Sequence, residues 1–142
     1  MAASAILDVR DAVTEILKGA EALSGIEVSD DREPERSTEY IWIWKAESNR
    51  DFAGIGSQPP KLDEDIEITL RVVAMRGTDE LRPSEDRAFE IANAAEKALA
   101  QQTTLNKTVR FHWVSKVKPT PFLFDRKRGC EVVMTLSAKA RI

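Results

Sequence analysis

The stretch Leu62-Asp63-Glu64-Asp65-Ile66-Glu67-Ile68-Thr69-Leu70-Arg71-Val72-Val73-Ala74-Met75 decides the fold. Ile66, Ile68, Leu70, Val72 and Ala74 alternate with Asp65, Glu67, Thr69, Arg71 and Val73. A period of two with one apolar face marks a strand that packs on one side and meets solvent or a partner on the other. Asp63, Asp65 and Glu67 share the polar face at a spacing of roughly 7 Å. Without a glycine-containing calcium loop, they read as a charged face that blocks unwanted sheet pairing rather than as a metal site.

Upstream, Tyr40-Ile41-Trp42-Ile43-Trp44 is β-branched and aromatic on both faces, which suits a central strand covered on both sides. Trp42 and Trp44 are expected in the core rather than as a stacking platform for a ligand. Gly25 to Ser29 reads as a short strand, and the polar run Asp30 to Thr38 as an exposed loop. Glu47 to Lys61 holds Gly54, Gly56, Pro59 and Pro60 and reads as a long loop. Its glycines do not open a helix, so no phosphate-binding loop is present. The N-terminal segment places Ile6, Val9, Val13, Ile16, Leu17, Ala20 and Leu23 at helical spacing, with Ser4 as N-cap and Gly25 as the stop.

Downstream, Pro83 opens a second helix to Gln102, with Glu85 and Asp86 at its positive end. Its stripe of Ala88, Ile91, Ala92, Ala95, Ala98 and Leu99 is alanine-rich, so the helix can lie close to what it covers. Two alternating runs follow. Val109, Phe111, Trp113 and Val117 alternate with Arg110, His112, Val114 and Lys116. Cys130, Val132, Met134, Leu136, Ala138 and Ala140 alternate with Glu131, Thr135, Ser137, Lys139 and Arg141. Together they predict an antiparallel pair, with Lys118 to Gly129 as the connecting loop. The whole reads as a single α+β domain over residues 1–142. Its expected architecture is a mostly antiparallel sheet of about four to five strands with two helices packed on one face.

Composition bounds the function classes. With 42% hydrophobic and 32% charged residues in 142, the chain can fill one core and keep a charged surface. No apolar run approaches the roughly 20 residues of a membrane span, and the N-terminus shows no secretory signal. One cysteine excludes a disulfide framework and a cysteine-based zinc site. His112 sits in sequence between Arg110 and Lys116 with no nucleophile motif near it, so a surface histidine is expected rather than a catalytic one. No catalytic, cofactor-binding or metal-ligating set is read from the sequence, and an enzyme is not expected.

The net charge of −3 hides a polarity. Met1 to Asn106 carries 12 Lys/Arg and 22 Asp/Glu, whereas Lys107 to Ile142 carries 9 and 2. An acidic body with a basic C-terminal quarter can attract copies of itself head to tail. The expected contact residues are Asp30, Asp31, Glu33, Phe52, Ile55, Phe122, Phe124, Arg126, Lys127 and Arg128. The last five combine aromatics with a basic tip. Such a set could also bind single-stranded nucleic acid, although the acidic whole argues against a dedicated binder.

The chain resembles the tail terminator (tail completion, minor tail) proteins of long-tailed bacteriophages. The resemblance rests on three features: the opening amphipathic helix running into Glu21-Ala22-Leu23-Ser24-Gly25-Ile26-Glu27-Val28; the Tyr40 to Leu62 region with the long Asp65 to Met75 strand; and the Pro83 to Gln102 helix before a basic two-stranded unit. It implies a virion subunit, assembled in the host cytoplasm, at the head-proximal end of the tail. Copies would form a closed ring, typically of six, that caps the tail tube and meets head–tail connector proteins. DNA would pass only as cargo, and no membrane or cofactor would be involved. A connector or adaptor subunit is the nearest alternative. Within the resemblance, the loops Glu47 to Lys61 and Lys118 to Gly129 are the expected contacts to neighbours or tube.

Overall fold

A computed structural model describes residues 4–34, 37–52, 62–76, 80–124 and 126–141. Helix α1 (Ile6–Gly19) leads into β1 (Glu27–Ser29), β2 (Glu39–Phe52) and β3 (Leu62–Met75). Helix α2 (Arg82–Ala100) follows, then β4 (Phe111–Phe124) and β5 (Lys127–Arg141). The strands form one sheet in the order β1-β2-β3-β5-β4. β1 runs parallel to β2, and every other pairing is antiparallel. The fold is therefore α+β with both helices on one face, as the alternation in β3 predicts.

β3 lies between β2 and β5 along its whole length. Its apolar set Ile66, Ile68, Leu70, Val72 and Ala74 is fully buried beneath the helices. Val132, Met134, Leu136 and Ala138 of β5 and Ile41 and Ile43 of β2 extend that layer sideways. α1 lies over β1 and β2, and α2 over β5 and β3, reaching β4 less. Ala88, Ala92 and Ala95 let α2 sit close to the sheet, with Ile91 and Leu99 as its larger anchors.

Two polar latches position the helices. Glu64 carries no exposed surface although it is charged. Its carboxylate accepts the Ala5 backbone N–H at 2.8 Å and the Ser4 hydroxyl at 2.6 Å, and the Ser48 hydroxyl also donates to it. An anion at a helix N-terminus is stabilised by the unpaired N–H groups there. At the far end of the sheet Ser84, also buried, accepts the Arg76 N–H at 3.0 Å and donates to the Arg128 carbonyl at 2.9 Å. That hydroxyl ties the start of α2 to the end of β3 and the start of β5.

Several local expectations are corrected. Ser4 is not the N-cap; Ala5 holds that position, and Ser4 accepts the Ile6 N–H while bonding Glu64. α1 ends at Gly19, and a short 3-10 turn (Glu21–Leu23) carries Leu23 into the core before Gly25 turns at φ +85°. Glu47 to Phe52 continues β2 instead of opening a loop. The segment from Lys118 is likewise strand, because β4 is an edge strand whose outer side needs no N–H from Pro119 or Pro121.

The tryptophans are not core. β2 buries Ile41 and Ile43 on the helix side and turns Trp42 and Trp44 to the other, which no described element covers fully. His112 is not on the open polar face; it points toward the C-terminal end of α2, with Nε2 2.8 Å from the Gln102 carbonyl. Phe111 and Trp113 take the open side in its place. A register shift between Val114 and Lys116 inverts the alternation read from the sequence.

Replacing Glu64 by alanine removes a buried acceptor of several donors and leaves them unpaired. The expected cost is about 3 kcal/mol, read as a lower urea midpoint, whereas Asp63→Ala on the open face shifts it far less.

Candidate assembly surface on the open face of the sheet

The registers set the open face out in rows across the strands. Tyr40, Val73, Glu131 and Thr120 stand in line, then Trp42, Arg71, Val133 and Lys118. Farther along come Lys45, Thr69, Thr135 and Lys116, then Glu47, Glu67, Ser137 and Trp113. The β2–β3 side of this face carries carboxylates, and β4 carries lysines and no acidic residue. Asp65 meets Lys139 across the strands at 3.3 Å, and Asp63 meets Arg110 at 3.5 Å. Among the described residues no group of three His, Cys, Asp or Glu is placed to hold a metal ion.

Arg71 is the hub of the face. Its guanidinium lies 5.2 Å from the ring centres of both Trp42 and Trp44. Its Nε and Nη2 donate to Glu131 Oε2 at 2.9 and 2.5 Å. Burial works against the Arg71 charge, but the hydrogen bond and the charge of Glu131 overcome it and hold the guanidinium above its ordinary pKa. Lys45 Nζ lies 4.8 Å over Trp44, so that indole is flanked by two cations. Among the described residues, the buried Trp42 Nε1 has no hydrogen-bond partner.

Beside this hub Glu33 and Pro34 close one side of the open face. The Tyr40 hydroxyl donates to Glu33 Oε1 at 2.6 Å, and Pro34 is buried. The result is a cavity of about 470 Å³ walled by Glu33, Pro34, Tyr40, Arg71, Val73, Met75, Phe122 and Glu131, with Ser37, Thr38 and Thr120 at its margin. Gly129 makes room for one wall, since a Cβ there would lie 2.3 to 2.8 Å from three atoms of the Phe122 ring. Burial, with the Glu33 carboxylate as second cause, pushes the Tyr40 phenol well above its usual value. The Cys130 thiol is buried on the opposite face, and that burial, with a contribution from Glu85, raises its pKa. It is poorly suited to act as a nucleophile.

The fold has a solved counterpart. No protein-family model matches this chain, and no curated protein matches it. Among solved structures, a chain from the virion of a native gene transfer agent particle aligns with 92% of this chain and 94% of its own length. The TM-score is 0.50 at 15% sequence identity, so the likeness is one of fold.

The residues singled out in the sequence fall into four groups. Glu33 and Phe122 come together at the cavity. Asp30 is within 3.3 Å of the Thr14 hydroxyl of α1, and Asp31 is exposed beside it. Arg126, Lys127 and Arg128 are exposed at the β4–β5 turn, where Arg126 adopts φ +64°. Phe52 and Phe124 end β2 and β4, but their side chains lie outside the described residues, as does all of Ile55. Arg71, Trp42 and Glu131 were not singled out for this role. An arginine two positions from a buried valine and facing a neighbour's tryptophan is visible only once the registers are known.

Tyr40 is the only tyrosine, so its ionisation can be followed in isolation. A phenol whose native pKa is raised keeps its proton when the unfolded chain, with a value near 10.0, has released it. Native protein is expected to show no phenolate absorbance change around pH 10, and its stability is expected to fall as pH rises beyond that point. Tyr40→Phe lacks this component of the fall; an ordinary titration in the folded protein would refute the burial of this hydroxyl.

Proposed function

We propose that this protein is a structural virion subunit that forms a ring closing the end of a tail tube and offering a surface for head joining. The observation that carries the reading is the fold shared, over nearly the whole of both chains, with a chain of a gene transfer agent virion. The open face adds support. An aromatic and arginine platform that no described element covers fully suits burial against another protein, because tryptophan and arginine contribute strongly to interface energy. The division into an acidic body and a basic C-terminal quarter suits contacts that repeat head to tail, as a closed ring requires.

In this reading the protein acts by shape and charge, not by catalysis. The partners are further copies of the chain, the tail tube protein and head–tail connector proteins, with DNA only passing through. Its place is the head-proximal end of the tail. A connector or adaptor subunit would share these properties and differ in binding away from tube ends.

The test combines light scattering after size exclusion, at low and high salt, with electron microscopy alone and with tail tubes of its own virion. Closed rings, or caps at tube ends that stop further growth, are the expected result. Salt is expected to weaken ring formation from free subunits, since exposed charge contacts are screened. Binding along tube walls, or to DNA with a steep salt dependence lost in the Arg126→Ala, Lys127→Ala, Arg128→Ala triple variant, would overturn the terminator reading.

A further inference from the structure

Six large apolar residues are exposed among the described residues, and four of them stand on one strand. Phe111, Trp113, Val117 and Leu123 of β4 are 46, 48, 44 and 69% exposed. Phe111 and Trp113 stack on the open face at 5.7 Å between ring centres, while Val117 and Leu123, paired with Met134 and Arg128, turn to the helix side and stay exposed. An edge strand that is apolar on both faces is a liability for a free monomer. Lys116 and Lys118 interrupt the apolar run, and no acidic residue lies on β4. The flank is thus sticky and basic.

The other two exposed apolar residues, Leu7 and Trp44, lie at the opposite side of the molecule. Trp44 is on β2 and Leu7 on α1, the helix that lies over β1 and β2. They too stand on either side of the sheet. Exposed carboxylates on these two elements include Asp8 and Asp11 on α1 and Glu47 on β2. β1 pairs only with Tyr40 to Trp42, so no described strand pairs with the outer edge of β2 beyond that point. Lys45 also stands there, 4.8 Å over Trp44 and 3.6 Å from Glu47, so the flank is apolar with carboxylates in excess.

We infer that these flanks are the two halves of one contact, with β4 of one copy seated against the α1–β2 side of the next. Opposite charge fixes the orientation and the apolar residues provide the buried area. The halves lie at opposite edges of one sheet and differ in composition, so the contact is heterologous and repeats around a ring. This rests on the ring reading and assigns its subunit interface.

The experiment uses two reverse-charge variants of the full chain. One carries Lys116→Glu and Lys118→Glu; the other carries Asp11→Lys and Glu47→Lys. All four positions are exposed, and circular dichroism checks that each variant folds. Each alone is expected to assemble at least tenfold more weakly than wild type. An equimolar mixture is expected to recover closed particles in which the variants alternate, with an even number of subunits. If wild type forms rings and each variant alone does so equally well, the flank assignment fails while the ring reading stands. Folded variants that remain apart when mixed also refute it. If wild type closes no ring, free or on tubes, the ring reading fails and this interface with it.

Discussion

One-sided cover is the constraint on which this molecule depends. α1 and α2 lie on the same face of a five-stranded sheet, so each strand has one side that must be apolar and one side free to be anything. β3, paired on both edges, shows the consequence most clearly: its even-numbered residues from Glu64 to Ala74 are buried, and its odd-numbered ones carry most of its charge. Glu64 is the exception in that buried set. It is tolerated because donors from the start of α1 and from β2 converge on it. The same contacts hold α1 in place.

The open side is organised by cross-strand registers rather than by any single segment. Arg71 from β3, Trp42 and Trp44 from β2 and Glu131 from β5 meet because their strands are aligned to bring them into neighbouring rows. Partial burial keeps such ion pairs and cation–aromatic contacts stronger than fully exposed ones. The hub is consequently a rigid patch. Its rigidity suits a surface that serves by presenting a fixed shape to a partner.

Edges carry the remaining information. The short β1 leaves most of one edge of β2 without a described strand, and β4 ends the sheet on the other side. Lysines and prolines on β4 limit indiscriminate strand pairing, while its aromatic and aliphatic residues retain a reason to be covered. Two unlike edges, one basic and one with carboxylates in excess, suit the ordered repetition of the proposed ring. In that proposed ring the subunit's exposed hydrophobic residues would be covered.

The residues themselves determined the fold class, the β3 strand, the position of α2 and the polarity of charge. Period-two and helical patterns and counts of charge are local properties of the chain, and local properties survive whatever the chain packs against. Tertiary structure decided which face of β2 and β4 is covered. Tyr40 to Trp44 is apolar on both sides, so its pattern could not choose between core and surface for the tryptophans. In β4 a register shift after Val114 broke the alternation, turning His112 inward and Phe111 and Trp113 outward. Glu64 is in phase with Ile66 to Ala74, but a carboxylate in that phase is buried only where donors reach it. The donors that permit its burial come from Ser4, Ala5 and Ser48, which only folding brings to it. Burial and pairing partners arise from contacts distant in sequence, and those contacts exist only in three dimensions.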